Sequence, residues 1–304
     1  MKLESTFKIY YISLILFSLS CNAEGEKSAP SCADAMSAGQ PEKALIAAEA
    51  ALKKDATTHE TWLCKGRALG ALGQYAEAQK AMEQGVKTTK SDYNAGIANL
   101  LLGNLHKQNQ AYMLASQHYQ KSLSLFEQQQ DTRFIFICHV LLGEAYALDK
   151  NPNAALVSYQ VASKAANNDN ERADSYARVA QTYAALGQHD HAIEHQLKSV
   201  MMQKKAGTLD QYASATLQLG QYQTQAKDYK NAENTYTKLR DFAKENGGAY
   251  YEAKASLALA KNAWASGDAG SAKTHLANAE SIAKTINDKE LNAETTVFAQ
   301  TMQK

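Results

Sequence analysis

One residue type recurs along this chain at a spacing that leaves few folds open. Alanine stands at Ala44, Ala78, Ala115, Ala155, Ala192, Ala232 and Ala272, with intervals of 34, 37, 40, 37, 40 and 40 residues. A second column of small residues runs in step with it: Cys32, Gly66, Gly103, Gly143, Ala180, Gly220 and Ala260. Paired small residues at a fixed period mark places where two helices cross too closely for a larger side chain. Four positions after each alanine comes Met82, Tyr119, Tyr159, Tyr236 or Leu276, with Ala48 and Gln196 as the weak members of that column. We expect these larger residues to fill the space between successive units. The longer intervals exceed the shortest by about one helical turn or two, so each insertion nearly preserves which face meets the neighbour.

Composition agrees with helices throughout. The chain has only 3 prolines, and its abundant Ala, Gln, Lys and Leu lose little rotamer freedom in a helix. No stretch reads as a strand, so glycine-rich nucleotide loops and nucleophile elbows, which need a strand-to-helix context, have no scaffold here. We therefore expect no cofactor and no catalytic residue.

The clearest single unit is Trp62-Leu63-Cys64-Lys65-Gly66-Arg67-Ala68-Leu69, then Gly73-Gln74-Tyr75-Ala76-Glu77-Ala78, then Met82 and Gly85. This resembles the tetratricopeptide repeat, with Lys65 departing from a leucine slot and Leu69 from a tyrosine slot. The resemblance implies an all-α, right-handed α-solenoid of stacked helix-turn-helix units closed by a C-terminal capping helix. On this register residues 24–58 form a degenerate first repeat, 59–286 six full repeats, and 287–304 the cap, with Leu291, Val297, Phe298 and Met302 available to pack. Helix starts are expected at Ser91 or Asp92, Asp131 or Thr132, Asp169 or Asn170, Thr208 and Asp288, each offering an oxygen to an orphan N–H. Gly207, Gly247 and Gly248 are expected as left-handed helix ends.

The beginning of the chain reads differently. Lys2 and Lys8 precede an apolar run from Ile9 to Leu19, too short for a permanent membrane anchor. Residues 1–23 are read as an export signal, cleaved after Ala23 or, alternatively, processed at Cys21 to carry a lipid. That lipid would be the chain's one link to a membrane, and the expected location is the periplasm of a bacterial envelope. Without those residues, which carry two lysines and one glutamate, acidic and basic side chains balance. A balanced chain lacks the cationic excess on which nucleic-acid binding depends.

Two groups of side chains invite a chemical reading. Cys32 and Cys64 fall on neighbouring helices of the register; they either pair in an oxidising compartment or remain small buried thiols, and Cys138 reads as a core residue. His191-Ala192-Ile193-Glu194-His195 matches the H-x-x-E-H of inverted zinc peptidases. Yet Ala192 occupies the alanine column, so the segment reads first as a repeat helix with exposed histidines and no metal role.

The resemblance implies that partners are held on a concave surface lined by the first helix of each unit. The candidate partner-binding residues are Arg67, Asn104, Lys107, Glu144, Gln181, Gln221, Lys261 and Trp264, set among the apolar positions Leu63, Leu100, Val140 and Leu257. Amides beside small apolar patches suit a peptide whose backbone they hydrogen-bond. Three readings of function follow: a scaffold or adaptor for a protein or peptide, a receptor for a peptide or small ligand, and a zinc hydrolase at His191 and His195. The first fits the residues best. The carboxylate clamp known in this family needs lysines where Leu63 and Leu100 stand, so that ligand is not expected.

Overall fold

The computed structural model describes residues 31–303, and the segment read as an export signal lies outside the described residues. Fourteen helices form seven hairpins: α1 (Cys32–Ser37) with α2 (Pro41–Lys54), α3 (His59–Ala71) with α4 (Tyr75–Thr88), α5 (Asp92–Gln108) with α6 (Tyr112–Gln128), and α7 (Thr132–Leu148) with α8 (Pro152–Ala165). The array continues with α9 (Asp169–Ala185) and α10 (His189–Ala206), α11 (Leu209–Gln225) and α12 (Tyr229–Glu245), and α13 (Ala249–Ser266) and α14 (Ala269–Thr285). A single helix, α15 (Lys289–Thr301), follows the seventh hairpin. Substantial contacts join only helices adjacent in the chain or next but one. The next-but-one contacts, α1 with α3, α3 with α5, α11 with α13 and α13 with α15, all link first helices. First helices thus approach one another more closely than second helices do, and the stack curves with the first helices inside.

Each hairpin turns at the same register position, five residues before the column alanine. The backbone there is left-handed in all seven: Gly39, Gly73, Gln110, Lys150, Gly187, Lys227 and Gly267, with φ between 54° and 90° where all left-handed residues are counted. Glycine removes the Cβ penalty of this conformation in four units, and three units carry it on Gln or Lys. Between units the caps are Ser91, Asp131, Thr208 and Asp288, each accepting from the backbone three residues on. Two sequence expectations are corrected. The cap of α9 is Asn168, one residue ahead of Asp169, because its Oδ1 reaches the Glu171 N–H at 2.9 Å. Gly247 is left-handed (φ 72°), but Gly207 and Gly248 have φ of −86° and −87° and serve instead as an extended exit and a helix N-cap.

All seven column alanines are fully buried. What sits over the partner column is not the alanine but the residue four positions later. A Cβ built on Gly103, Gly143 or Gly220 would lie within 2.4 Å of the ring of Tyr119, Tyr159 or Tyr236, and one on Gly66 would lie 2.4 Å from Cγ of Met82. The larger residue therefore packs across the glycine of its own first helix and also fills the space toward the next unit, as its position implied: Met82 shares a core with Leu102 and Leu105 of α5, Tyr119 with Leu142 of α7, and Tyr159 with Val179 of α9. Where the small residue is alanine, the opposed residue has no ring: Ala180 with Gln196, Ala260 with Leu276. The two columns vary together because the volume between the helices is fixed.

At the N-terminal end Cys32 and Cys64 form a disulfide with Cα atoms 6.2 Å apart, tying the six-residue α1 to α3. At the other end Leu291 and Phe298 of α15 close the last apolar surface together with Leu257, Leu276 and Ala283.

Candidate functional site

The inner curve is built from side chains that repeat at the same positions of α3, α5, α7, α9, α11 and α13. The position after each small-column residue gives Arg67, Asn104, Glu144, Gln181, Gln221 and Lys261, and all but Glu144 are exposed. The apolar floor expected between them is absent. Leu63, Leu100, Val140 and Leu257 are 2–6% exposed and belong to the core. Leu63 shows why: it lies against Gly85 of α4, within 2.7 Å of where a Cβ would be, so burial against the second helix wins over exposure on the curve. At the same register position Ala177 and Leu217 are half-buried, so what faces the solvent inside the curve is mostly polar, with Trp264 as the exposed aromatic.

Two of the expected partner-binding residues are engaged with each other. Lys107 donates to Glu144 at 2.6 Å, and the second oxygen of Glu144 accepts from Arg178 at 2.9 Å. Arg178 also donates through Nε to Asp174 at 2.7 Å and lies over the Tyr159 ring. Burial alone would lower the guanidinium pKa, but the Asp174 and Glu144 carboxylates outweigh it and hold the charge firmly. This chain of ion pairs spans three consecutive inner helices, α5, α7 and α9. Lys107 and Glu144 thus brace the inner helices, a pairing the sequence reading did not anticipate. Asn104 accepts from the Tyr119 hydroxyl at 2.7 Å, with its amide nitrogen left to solvent.

Sequence reasoning missed Arg178, Asp174, Lys254 and Glu294, although a signal existed. Opposite charges lie one repeat apart: Lys107 and Glu144 by 37 residues, Glu144 and Arg178 by 34, Lys254 and Glu294 by 40. Lys254 meets Glu294 of α15 at 2.7 Å and stands over the Tyr250 ring. Lys261 and Trp264 follow on the same helix. Trp264 is 36% exposed, whereas Phe298 of the terminal helix is 9% exposed within the last core cluster. The Lys261 ammonium is open to water yet flanked by protein, so desolvation lowers its pKa; Glu294 opposes this and Lys254 adds to it. Desolvation likewise lowers the Arg67 pKa. Gln221 accepts from Gln218 at 3.3 Å, and Gln181 points to solvent without a side-chain partner among the described residues.

His191 and His195 lie on the outer helix α10. Their rings rest on Tyr183 at centroid distances of 4.9 and 5.4 Å, and Glu194 is bridged to Lys198 at 2.7 Å. Burial, with Lys198 adding, lowers the His195 pKa. Among the described residues no three His, Cys, Asp or Glu side chains converge as metal donors. The geometry spends these groups on aromatic and ionic contacts of a repeat helix.

A family model for the tetratricopeptide repeat matches residues 59–92 and 173–205. No curated protein matches the sequence. Among solved structures, the C-terminal part of a TPR repeat-containing protein from Cytophaga hutchinsonii is similar over 86% of this chain and 96% of that one, at 15% identity and a TM-score of 0.64. A signal-transduction ATPase with a tetratricopeptide repeat sensor, from Pyrococcus horikoshii, is similar over 87% of this chain at 15% identity and a TM-score of 0.65; the match spans 43% of that protein. The apo form of RapI is similar over 81% of this chain and 97% of that one, at 12% identity and a TM-score of 0.56. With the alanine column, the hairpin turns and these matches together, the chain carries tetratricopeptide repeats at residues 59–92 and 173–205 within an all-α helical-repeat solenoid fold.

Proposed function

We propose that the chain is a non-catalytic scaffold or adaptor that holds a protein or peptide partner on its inner curve. One observation carries the reading: Arg67, Asn104, Gln181, Gln221 and Lys261 occupy one register position in five units and are all exposed there. Only Asn104, which accepts from the buried Tyr119 hydroxyl, serves the core, and the amides and cations of the set are suited to bonding an extended backbone and its side chains. We place the protein in a bacterial envelope. The lysine-flanked apolar run at Ile9 to Leu19 supports export, and the Cys32–Cys64 disulfide fits an oxidising compartment. The test is site-specific photo-crosslinking in cells. Probes at Gln181 and Gln221 are expected to give discrete protein adducts, and probes at Leu197 and Met201 on the outer helix none. Adducts confined to the outer positions would contradict the reading.

A further inference from the structure

Charge inside the curve is unevenly matched. Four carboxylates on the inner positions have a cationic or imidazole partner: Glu60 has His59 at 2.9 Å, Glu144 has Lys107 and Arg178, Asp174 has Arg178, and Glu294 has Lys254; Asp210, eleven residues before Gln221 on α11, has none among the described residues. Among the described residues three cations on this face lack a carboxylate partner: Arg67, Lys261 and, in the first turn of α7, Arg133. Neither Arg67 nor Lys261 lies within ion-pair distance of a carboxylate among the described residues, and both are exposed. They hold the same register position in the second and seventh units, with exposed amides of Gln181 and Gln221 on the helices between. We propose that the segment bound on the inner curve is an acidic stretch of protein, with carboxylates seated at Lys261 beside Trp264 and at Arg67. This deepens the scaffold reading and rests on it.

A cation flanked by protein but left unpaired gains more from an incoming carboxylate than a fully solvated one, because part of its hydration is already lost. Desolvation at both Arg67 and Lys261 shows that environment. The amides between them supply donors and acceptors for a peptide backbone and repel neither. Three unpaired cations spread over the array are too few to neutralise a nucleic-acid backbone, which favours a peptide. Trp264, three residues from Lys261 on the same helix, adds an aromatic surface for a side chain next to the carboxylate.

The test uses the purified chain and fluorescein-labelled peptides of about a dozen residues in three series, Glu/Asp-rich, uncharged and Lys-rich, matched in apolar content, with a single-stranded oligonucleotide beside them. The acidic series should bind tightest, and added salt should weaken it. Lys261→Glu and Arg67→Glu should each weaken it about tenfold or more, Lys261→Arg should retain it, and thermal melting should stay unchanged because both residues are exposed. The proposal is overturned if acidic peptides bind no better than the other series or not at all, if the oligonucleotide binds more tightly, or if both charge reversals leave affinity unchanged. Failure of the underlying scaffold reading looks different. If uncharged or basic peptides bind and Gln181→Arg with Gln221→Arg weakens them, only the acidic preference falls. If binding is lost in Leu197→Glu with Met201→Glu and kept in every inner variant, both fall.

Discussion

The third and fourth repeats and the fifth and sixth are built on one register yet packed in different ways. Between α6 and α7, Phe126 and Phe134 stack at 4.3 Å with Tyr93 edge-on to both, and Gly96 leaves room for the Phe126 ring. Gly103 and Gly143 each accept a tyrosine ring, and the ion pairs from Lys107 through Glu144 to Arg178 brace the inner helices. Around α10 and α11 the buried positions include the polar Gln196, Ser199, Gln203 and Thr216 beside Val200, Leu219 and Tyr222. The side-chain oxygens of Gln196 and Gln203 are buried without a partner among the described residues. A solenoid's stability is a sum of unit and interface terms, so such differences stay local. The difference teaches that the array concentrates its rigidity in α5–α8, where the braced inner face is occupied with itself. The inner face beyond Arg178 keeps its exposed amides and a cation for something else.

The largest expected effect is in the aromatic region. Phe126→Ala should cost about 3–5 kcal/mol, by loss of a fully buried ring and its stack, measured by urea denaturation. A loss below about 1 kcal/mol would erase the contrast between the regions. Next, Gly143→Ala should cost about 1–3 kcal/mol by driving a methyl into the Tyr159 ring. Combining it with Tyr159→Leu reproduces the Ala260 and Leu276 pair of the seventh unit, so the double variant should be more stable than the sum of the single losses predicts. Simple additivity would count against the reciprocal columns.

Acid should narrow the gap. His118 packs on His106 at 5.2 Å inside the third unit and bonds Asn99. Burial, then the nearby His106 and Lys121, push its pKa down to about 4, with Glu83 opposing. The unfolded chain takes up this proton near the ordinary value of 6.5 and the folded chain resists until about 4. The stabilisation is complete above the upper value and is lost as pH falls through that window. Melting temperature against pH should slope there, and His118→Gln should flatten the slope. The smallest effect belongs to the polar region: Gln196→Leu should be neutral or add up to about 1 kcal/mol, because it removes an unpartnered buried oxygen. A clear loss of stability would show that Gln196 is held by more than its bond to Ala215.

How far this was legible follows from what each feature depends on. The alanine and glycine columns could be read because close helix crossings admit few residue types, so the register shows directly in the sequence. That Tyr119 or Tyr159 covers its own unit's glycine could not, because column spacing fixes neighbours in the chain but not which helix face closes first. Arg67, Gln181, Gln221 and Lys261 were placed on the inner curve by register alone. The pairing of Lys107 with Glu144 was not anticipated, since pairing depends on the distance between successive first helices, which the sequence encodes only as opposite charges one repeat apart. Leu63 and Val140 were placed wrongly because an aliphatic side chain is more stable packed against the second helix, as Leu63 is against Gly85, than on a wet curve.

The uneven array is tested most directly by native-state hydrogen exchange resolved by helix. The account predicts that amides of α5–α8 exchange only with global unfolding, while α10 and α11 exchange through a local opening of lower free energy. Slowest exchange in α10 and α11, or a single opening energy across all the repeats, would contradict it.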